Sequence, residues 1–132
     1  MSTLKVNNIQ TAEGGSNSTP EQIEQGRAKA WVAFDGTTNT GGNCTMYDSF
    51  NVSSVADNST GDYTVNFSTA MANANYCAQV SAGNNAQNSL GAWNTIYDNT
   101  TTLAGSCRIA IYSNTGSSQD NDQVFFVVFG DV

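Results

Sequence analysis

The chain contains no histidine, which removes the side chain that most often acts as a general base or metal ligand. Histidine-activated serine or cysteine nucleophiles are therefore excluded within one chain. Paired carboxylates remain conceivable, because glycoside hydrolysis needs two acids held about 5 to 10 Å apart. No spacing selects a pair, and we expect a protein that is not an enzyme. The dispersed candidates are Asp48, Asp57, Asp62, Asp98, Asp120 and Asp122.

The cysteines and clustered acids also predict no metal site or cofactor. Cys44, Cys77 and Cys107 are odd in number and lack a CxxC pair, so neither a disulfide framework nor a zinc site is indicated. Cys77 and Cys107 fall in apolar alternations, and we expect both to be small core residues. Residues 120–122, Asp-Asn-Asp, could contribute to a cation site, but we interpret them as a solvated turn.

Two polar segments carry the side chains best suited to binding sugars. Residues 83–106 are long, polar and aromatic-bearing without a sustained period, and residues 113–122 form a second loop. Aromatic rings stack on the apolar faces of sugars, while amides and carboxylates bond to hydroxyl groups. Trp93 and Tyr97 could instead anchor their loop to the core. The predicted receptor-binding residues are Trp93, Asn94, Tyr97, Asp98, Tyr112, Asn114 and Asp120.

The charge balance excludes several partners. The net charge is -7, with only Lys5, Arg27, Lys29 and Arg108 as cations, so neither nucleic acid nor an anionic membrane is expected as a partner. Only 11% of residues are charged, and the remaining polarity comes from Asn, Ser, Thr and Gly. No apolar run is long enough for export or membrane spanning, so we expect synthesis in a cytoplasm and no membrane insertion.

A β-hairpin over residues 47–68 is the clearest structural element. Tyr63, Val65 and Phe67 alternate with small polar residues, which is typical of a half-buried strand. The outgoing arm changes phase near Ser53 or Ser54 and predicts a bulge there. The turn residues between the arms include Gly61, which can take positive φ.

Further strands are predicted on either side of the hairpin. Residues 28–35 place Ala30, Val32 and Phe34 inward and Trp31 outward, where Trp31 packs on a neighbour or offers a sugar platform. Residues 74–81 are expected to pair with the hairpin. In residues 107–112 the odd positions, from Cys107 to Ile111, are expected to point inward. Residues 123–129 are apolar at both odd and even positions of the strand, which indicates that both faces of the strand are buried, one of them at a subunit contact.

The N-terminal region reads as a strand, a connector and one short helix. Residues 3–10 predict a strand that cannot be stable alone and must pair or wrap. Thr19, Pro20 and Gln22 match a capping box with proline at the first helical position, and Gly26 ends the helix. We therefore divide the chain into residues 1–27, with stem strand, connector and helix, and residues 28–132, a globular β-sandwich tip domain.

Three segments resemble tail-fibre proteins of tailed bacteriophages, notably phages of marine bacteria and cyanobacteria. They are SFNVSSV with GDYTVNF at residues 49–67, TLKVNNIQ at residues 3–10 and AKAWVAFDG at residues 28–36. The resemblance covers the first half of the chain and implies a trimeric β-structured fibre tip that binds a host surface. Most such fibres carry a shaft and an adaptor upstream, so the chain is expected to be a small fibre seated on another tail protein, or a fragment.

These patterns and the resemblance together predict an all-β, antiparallel, jelly-roll-like β-sandwich in an intertwined homotrimer. The expected function is non-enzymatic adhesion of a virion tail fibre to a bacterial surface glycan or protein. The expected partners are two further copies, another phage tail protein at the N-terminal end and the host receptor. The alternative is a structural tail-assembly or virion decoration protein without a receptor of its own.

Overall fold

The computed structural model describes residues 2–3, 5–15, 17–83, 93–98 and 100–132. The molecule is mostly antiparallel β, with 50% strand and one short helix, so the all-β prediction is confirmed at that level. In chain order the strands described are β1 (Ala30–Thr40), β2 (Asn43–Phe50), β3 (Val52–Ser59), β4 (Asp62–Phe67), β5 (Cys77–Ala82), β6 (Trp93–Ile96), β7 (Thr102–Leu103), β8 (Ser106–Tyr112) and β9 (Val124–Phe129).

All of these strands join one antiparallel sheet. Its order is β5-β9-β1-β2-β3-β4-β8-β6, and β7 also pairs with β8. The sheet is nearly closed, since β5 and β6 at the two ends of this order contact each other. Near-closure covers most strand edges, which would otherwise offer unpaired backbone groups to other chains.

The interior is filled by the inward residues of alternating strands. Phe34 of β1 and Tyr63 of β4 meet edge to face across it, with ring centroids 5.2 Å apart. Burying one large apolar side chain contributes about 1.5 to 3 kcal/mol, so this core is the main source of stability. Ala28, predicted to face inward at the start of the 28–35 strand, is only half-buried. The other inward residues predicted for these strands are confirmed as buried, namely Ala30, Val32, Phe34, Tyr63, Val65, Phe67, Cys107, Ile109 and Ile111.

The predicted hairpin is formed by β3 and β4, but its first arm starts later than predicted, because residues 47–50 belong to β2 and Asn51, with φ 54°, separates β2 from β3. The β3–β4 register shifts between Val52 and Ser54, which confirms the bulge. Gly61 has φ 66° in the turn, as expected. A Cβ atom at Gly61 would overlap the backbone oxygen of Ile111, so the turn is packed against β8 as well as left-handed.

Strand β1 is longer than predicted and confirms the outward position of Trp31. It starts at Ala30 and continues to Thr40, because the Thr38 hydroxyl accepts from the Thr45 backbone N–H at 2.8 Å and holds the two arms together. Gly41, with φ 62°, then turns the chain into β2. Trp31 is half-buried and lies opposite Phe50 of β2 and Val127 of β9.

The prediction that the strand after the hairpin pairs with the hairpin is wrong. Strand β5 pairs with β9 instead, because the preceding segment crosses the open end of the sheet. Met71 is buried there and its N–H donates to Ala104 O, while the Tyr76 hydroxyl donates to Ser106 O at 3.0 Å. These contacts carry the chain away from β4 before β5 begins.

Strand β9 is central in the sheet but buried on only one face within a single chain. It pairs with both β1 and β5, and Phe126 is buried. On the outer face Phe125 remains 44% exposed and Phe129 39% exposed. Cys77 lies opposite Phe129 and is exposed, so its predicted place in the core is wrong.

The short helix α1 (Pro20–Gly26) has the predicted capping box, in which Thr19 and Gln22 bond reciprocally. The strand predicted at residues 3–10 is not formed within one chain. Among the described residues before α1, strand pairing is limited to a bridge between Ile9 and Ser18, because no neighbouring strand is present to extend it. In the described part of the chain, no helix combines the length and apolarity needed to cross a bilayer.

Candidate functional site

Tyr97 and Arg108 form the best-defined exposed aromatic site on the sheet. Tyr97 follows β6, and its N–H donates to Arg108 O at 2.9 Å, which continues the β6–β8 pairing by one residue. The Arg108 guanidinium carbon lies 4.2 Å from the centroid of the Tyr97 ring. The tyrosine is 44% exposed, so one part of the ring is held by a cation while another part faces solvent.

Asp62 fixes the arginine that holds this ring. Arg108 Nε donates to Asp62 Oδ1 at 2.8 Å and Nη2 donates to Oδ2 at 2.5 Å, a two-pronged geometry that sets the guanidinium plane. Hydrogen bonding to Arg108 holds the pKa of the Asp62 carboxyl below its usual range, and the same contact raises the pKa of Arg108. Both groups are therefore charged at neutral pH.

A network of amide and hydroxyl groups surrounds this ion pair. Asn58 Nδ2 donates to Asp62 Oδ1 at 3.1 Å and to Thr64 Oγ1 at 2.9 Å, and Asn66 Nδ2 donates to Ser54 Oγ at 3.1 Å. These side chains lie on the outer surface of β3, β4 and β8. We call this surface the polar face and define it by Asn58, Asp62, Thr64, Asn66, Arg108 and the adjoining Tyr97.

Asp98 organises the turn that follows Tyr97. Its Oδ1 accepts from the Thr100 hydroxyl and the Thr100 N–H, both at 2.7 Å, and from the Thr101 N–H at 2.9 Å. The hydrogen bond from the Thr100 hydroxyl is the main cause that lowers the pKa of Asp98. The carboxylate thus fixes the backbone beside the Tyr97 ring while remaining exposed.

Trp93 and Asn94 lie at the other end of β6. The backbone of Trp93 pairs opposite Tyr112, and that of Asn94 pairs opposite Ile111. Trp93 is four residues from Tyr97, which along a strand corresponds to about 13 Å. Tyr112 is half-buried, and Asn114 is exposed in the next turn. Two groups of predicted residues therefore lie at opposite ends of the same strand.

Asp120 has an internal structural role. Its Oδ1 accepts from the Tyr63 hydroxyl and from the Gly61 N–H, both at 2.7 Å, which ties the last loop to the β3–β4 turn. Burial raises the pKa of Tyr63, so its phenol stays protonated and keeps donating. Asn121 is only 1% exposed and Asp122 is exposed, so the interpretation of residues 120–122 as a solvated turn fits Asp122 and is wrong for Asn121.

The described residues bring together no obvious reactive centre. Within them, no three Cys, Asp or Glu side chains converge as a metal-binding group. Burial raises the pKa of Cys44 to about 12, and burial also raises the pKa of Cys107, so both thiols stay protonated at neutral pH.

No family model matches the chain, and neither the curated proteins nor the solved structures include a significant match.

The residues that sequence reasoning missed are those that position Tyr97. Arg108 and Asp62 lie on adjacent strands, and their proximity depends on the β4–β8 register, in which Thr64 lies opposite Arg108. The sequence signal for this ion pair was an arginine at an outward strand position in a chain that has four cationic and 11 acidic residues. Such an arginine is expected to find a carboxylate on a neighbouring strand.

Proposed function

We propose that this chain is the receptor-binding tip of a virion tail fibre that adheres to a glycan on a bacterial host surface without covalent chemistry. The observation that carries the proposal is the half-exposed Tyr97 ring, which Arg108 and Asp62 hold in place beside amide and hydroxyl groups. A pre-positioned ring loses little conformational freedom on binding, so nearly all of the free energy of stacking on a sugar contributes to the affinity.

The surrounding chemistry favours a ligand rich in hydroxyl groups and low in negative charge. The side-chain NH2 groups of Asn58 and Asn66 are used within the chain, so the uncharged groups that face a ligand are their Oδ1 acceptors and the Thr64 hydroxyl donor. The net charge of -7 repels polyanions, and Arg108 is already neutralised by Asp62. A neutral surface polysaccharide is therefore the preferred ligand class.

The remaining parts of the proposal extend the observed all-β sheet. We propose that the nearly closed sheet is a jelly-roll-like sandwich and that three copies of the chain intertwine. The N-terminal residues of each copy then attach the tip to another tail protein. The protein would be made in the host bacterial cytoplasm and assembled into the virion tail fibre. A host surface protein is the alternative receptor, if the same Tyr97 ring and hydrogen-bonding groups recognise it.

The direct test is binding of the fluorescently labelled chain to a printed panel of bacterial capsular and O-antigen polysaccharides. We expect Tyr97→Ala to weaken binding about three- to tenfold, the usual value of one aromatic contact. Tyr47→Ala is the matched control, because Tyr47 is a comparably exposed tyrosine on β2, outside the polar face, at 56% against 44%. Equal losses in both variants, or no loss in Tyr97→Ala, would contradict the site.

Arg108→Lys tests whether the arginine positions the ring. Lysine keeps the charge but loses the two-pronged contact with Asp62 and the stacking plane. We expect a smaller loss of affinity than in Tyr97→Ala, together with a change in the near-ultraviolet dichroism of the tyrosine. Unchanged dichroism with unchanged affinity would remove Arg108 from this role.

A structural tail-assembly or decoration protein is the second candidate, and exposed apolar residues on β9 favour it. Phage carrying Trp93→Ala and Tyr97→Ala separate the two functions. Loss of host adsorption with intact virions supports the receptor-binding tip. Normal adsorption, combined with no polysaccharide bound on the panel, supports the decoration protein.

A further inference from the structure

A surface pocket lies where the end of α1, the start of β1 and the end of β2 meet. Its volume is about 310 Å³, which is at the lower end of the range for small-molecule sites. Two cations, Arg27 and Lys29, line it together with the Phe50 ring. The described residues that line the pocket include none of those that define the polar face.

Asn51 holds the walls of this pocket together. Its Nδ2 donates to Lys29 O and to Thr69 O, both at 3.0 Å, and its Oδ1 accepts from the Thr69 N–H at 2.7 Å. Among the described residues it is the one non-glycine residue with positive φ, at 54°. Such a backbone conformation is disfavoured and persists where surrounding contacts fix it. The pocket is therefore formed before any ligand arrives.

The two cations of the pocket have hydrogen-bonding capacity left. The Lys29 side chain is only 3% exposed, and its Nζ donates to Glu24 O at 2.6 Å and to Glu24 Oε1. An ammonium group has three N–H donors, so one donor remains for a further acceptor. Arg27 Nη2 donates to the same Oε1 at 3.0 Å, which leaves most of the five guanidinium donors for a ligand.

The charges in the pocket do not balance. Arg27 and Lys29 share one oxygen of Glu24, so two positive charges meet a single carboxylate. Within the described part of the chain, no other carboxylate is paired with either cation. Salt screens more distant carboxylates beyond about 8 Å, so one anionic group in the pocket responds mainly to this local charge. A polyanion would extend over the rest of a chain of net charge -7 and be repelled.

Apolar groups form the remainder of the lining. The Phe50 ring is 50% exposed, and Ala28 and Val132 also line the pocket. A ligand that covers this ring removes apolar surface from water, which favours binding. The lining therefore matches a small molecule that joins one anionic group to one apolar group.

We propose that this pocket binds a small monocarboxylate. The carboxylate accepts hydrogen bonds from Arg27 and from the remaining donor of Lys29, and the apolar group lies against Phe50. A free acid and the C-terminal residue of a peptide share this chemistry. The pocket lies outside the polar face, so this proposal stands or fails independently of glycan binding.

The test is calorimetric titration of the full chain with N-acetylphenylalanine, with its neutral amide and with acetate. We expect the acid to bind about tenfold more tightly than the amide, the value of one charge-assisted hydrogen bond. Acetate lacks the apolar group and should also bind more weakly than N-acetylphenylalanine. An acid that binds no more tightly than its amide would overturn the site, and equal binding of acetate would overturn the contact with Phe50.

Arg27→Ala tests the cationic part of the pocket without changing a buried position, because the Arg27 side chain is 63% exposed. We expect it to weaken binding of N-acetylphenylalanine about tenfold. Lys5→Ala is the matched control, since Lys5 is exposed, lies outside this pocket and also contributes one positive charge. Equal losses in the two variants would overturn the pocket and indicate a general effect of net charge.

Amide chemical shifts locate the bound acid and separate its two sources. N-acetylphenylalanine should shift the amides of Arg27, Asn51 and Thr69 and leave that of Thr64 unchanged. Shifts confined to Thr64 and its neighbours would overturn the pocket as the site. With the site confirmed, a tetrapeptide that ends in phenylalanine separates the sources: binding as tight as that of the acid supports a peptide terminus, and weaker binding supports a free acid.

Discussion

The two outer surfaces of the sheet differ in how their side chains are held. On the polar face, each member of the Asp62–Arg108 pair has a partner within the chain, and Asn58 bonds to two neighbours. On the outer surface of β9, β1 and β2, which we call the apolar face, Phe50, Phe125 and Phe129 expose large rings to solvent. One surface is organised before any partner arrives, whereas the other still has apolar area to bury.

This difference separates two kinds of recognition. On the polar face, the hydrogen-bonding groups are fixed and Arg108 holds the Tyr97 ring in place. Such a surface favours selective binding of a small polar ligand. A surface of exposed rings favours area burial, which is non-directional and suits assembly. The same sheet can therefore serve both functions without competition between them.

Glycine substitutions in the two hairpin turns, one buried and one open, should give the largest contrast in stability. Gly61→Ala combines left-handed strain with overlap against the Ile111 oxygen, and we expect a loss of about 3 kcal/mol. Gly41→Ala has comparable φ but open space, and about 1 kcal/mol is expected. Urea unfolding measures both, and equal losses would contradict the tight packing of the polar-face turn.

Neutralising one carboxylate on each surface should give the next largest contrast. Asp62→Asn removes a charged partner from Arg108, and a loss of about 2 kcal/mol in unfolding free energy is expected. Asp48→Asn changes an exposed group whose recorded bond is to the adjacent Ser49 N–H, and less than about 0.5 kcal/mol is expected. If Asp48→Asn proves as costly as Asp62→Asn, the fixed ion pair is not what distinguishes the polar face.

The Asp62 contribution should also depend on pH. Its carboxyl has a lower pKa when folded than when unfolded, because Arg108 bonds to the charged form. Its stabilisation is therefore present above the unfolded pKa, about 4, and is lost as the pH falls below that value. Unfolding free energies of wild type and Asp62→Asn should converge as the pH falls below about 4, and a constant difference would contradict the assignment.

Removing the ring itself should have the smallest effect on folding. Tyr97→Leu leaves an apolar side chain but removes the interaction of the ring with Arg108, and a loss of about 0.5 to 1 kcal/mol is expected at this exposed position. The same variant should bind polysaccharide clearly less well. A large loss of stability would favour the alternative in which Tyr97 anchors its loop to the core.

Much of the sheet could be predicted from local patterns. Alternation identified the inward residues of β1, β4 and β8, and turn chemistry placed the β3–β4 turn at Gly61. These features depend on neighbours in sequence. Pairing between strands that are distant in sequence does not depend on such neighbours. The β5–β9 pairing was missed because the contacts of Met71 and Tyr76 carry the chain across the end of the sheet.

The candidate site was less accessible to sequence reasoning. Tyr97 was chosen for its chemistry, yet its support comes from Arg108 and Asp62, which meet only through the β4–β8 register. Asp120 has a carboxylate suited to binding, but two internal donors use its Oδ1. Residue type alone does not distinguish a carboxylate that binds ligand from one that holds a loop. Residues 84–92 and Asn99, part of the predicted binding loop, lie outside the described residues.

The most direct test of two separate surfaces is one set of amide chemical-shift measurements on the isotope-labelled wild-type chain. Adding a polysaccharide selected on the panel should shift amides of β4 and β8 around Thr64 and Arg108. Serial dilution should instead shift amides of β1 and β9 around Trp31 and Phe125. If both titrations shift the same set of amides, the division into a binding surface and an assembly surface is wrong.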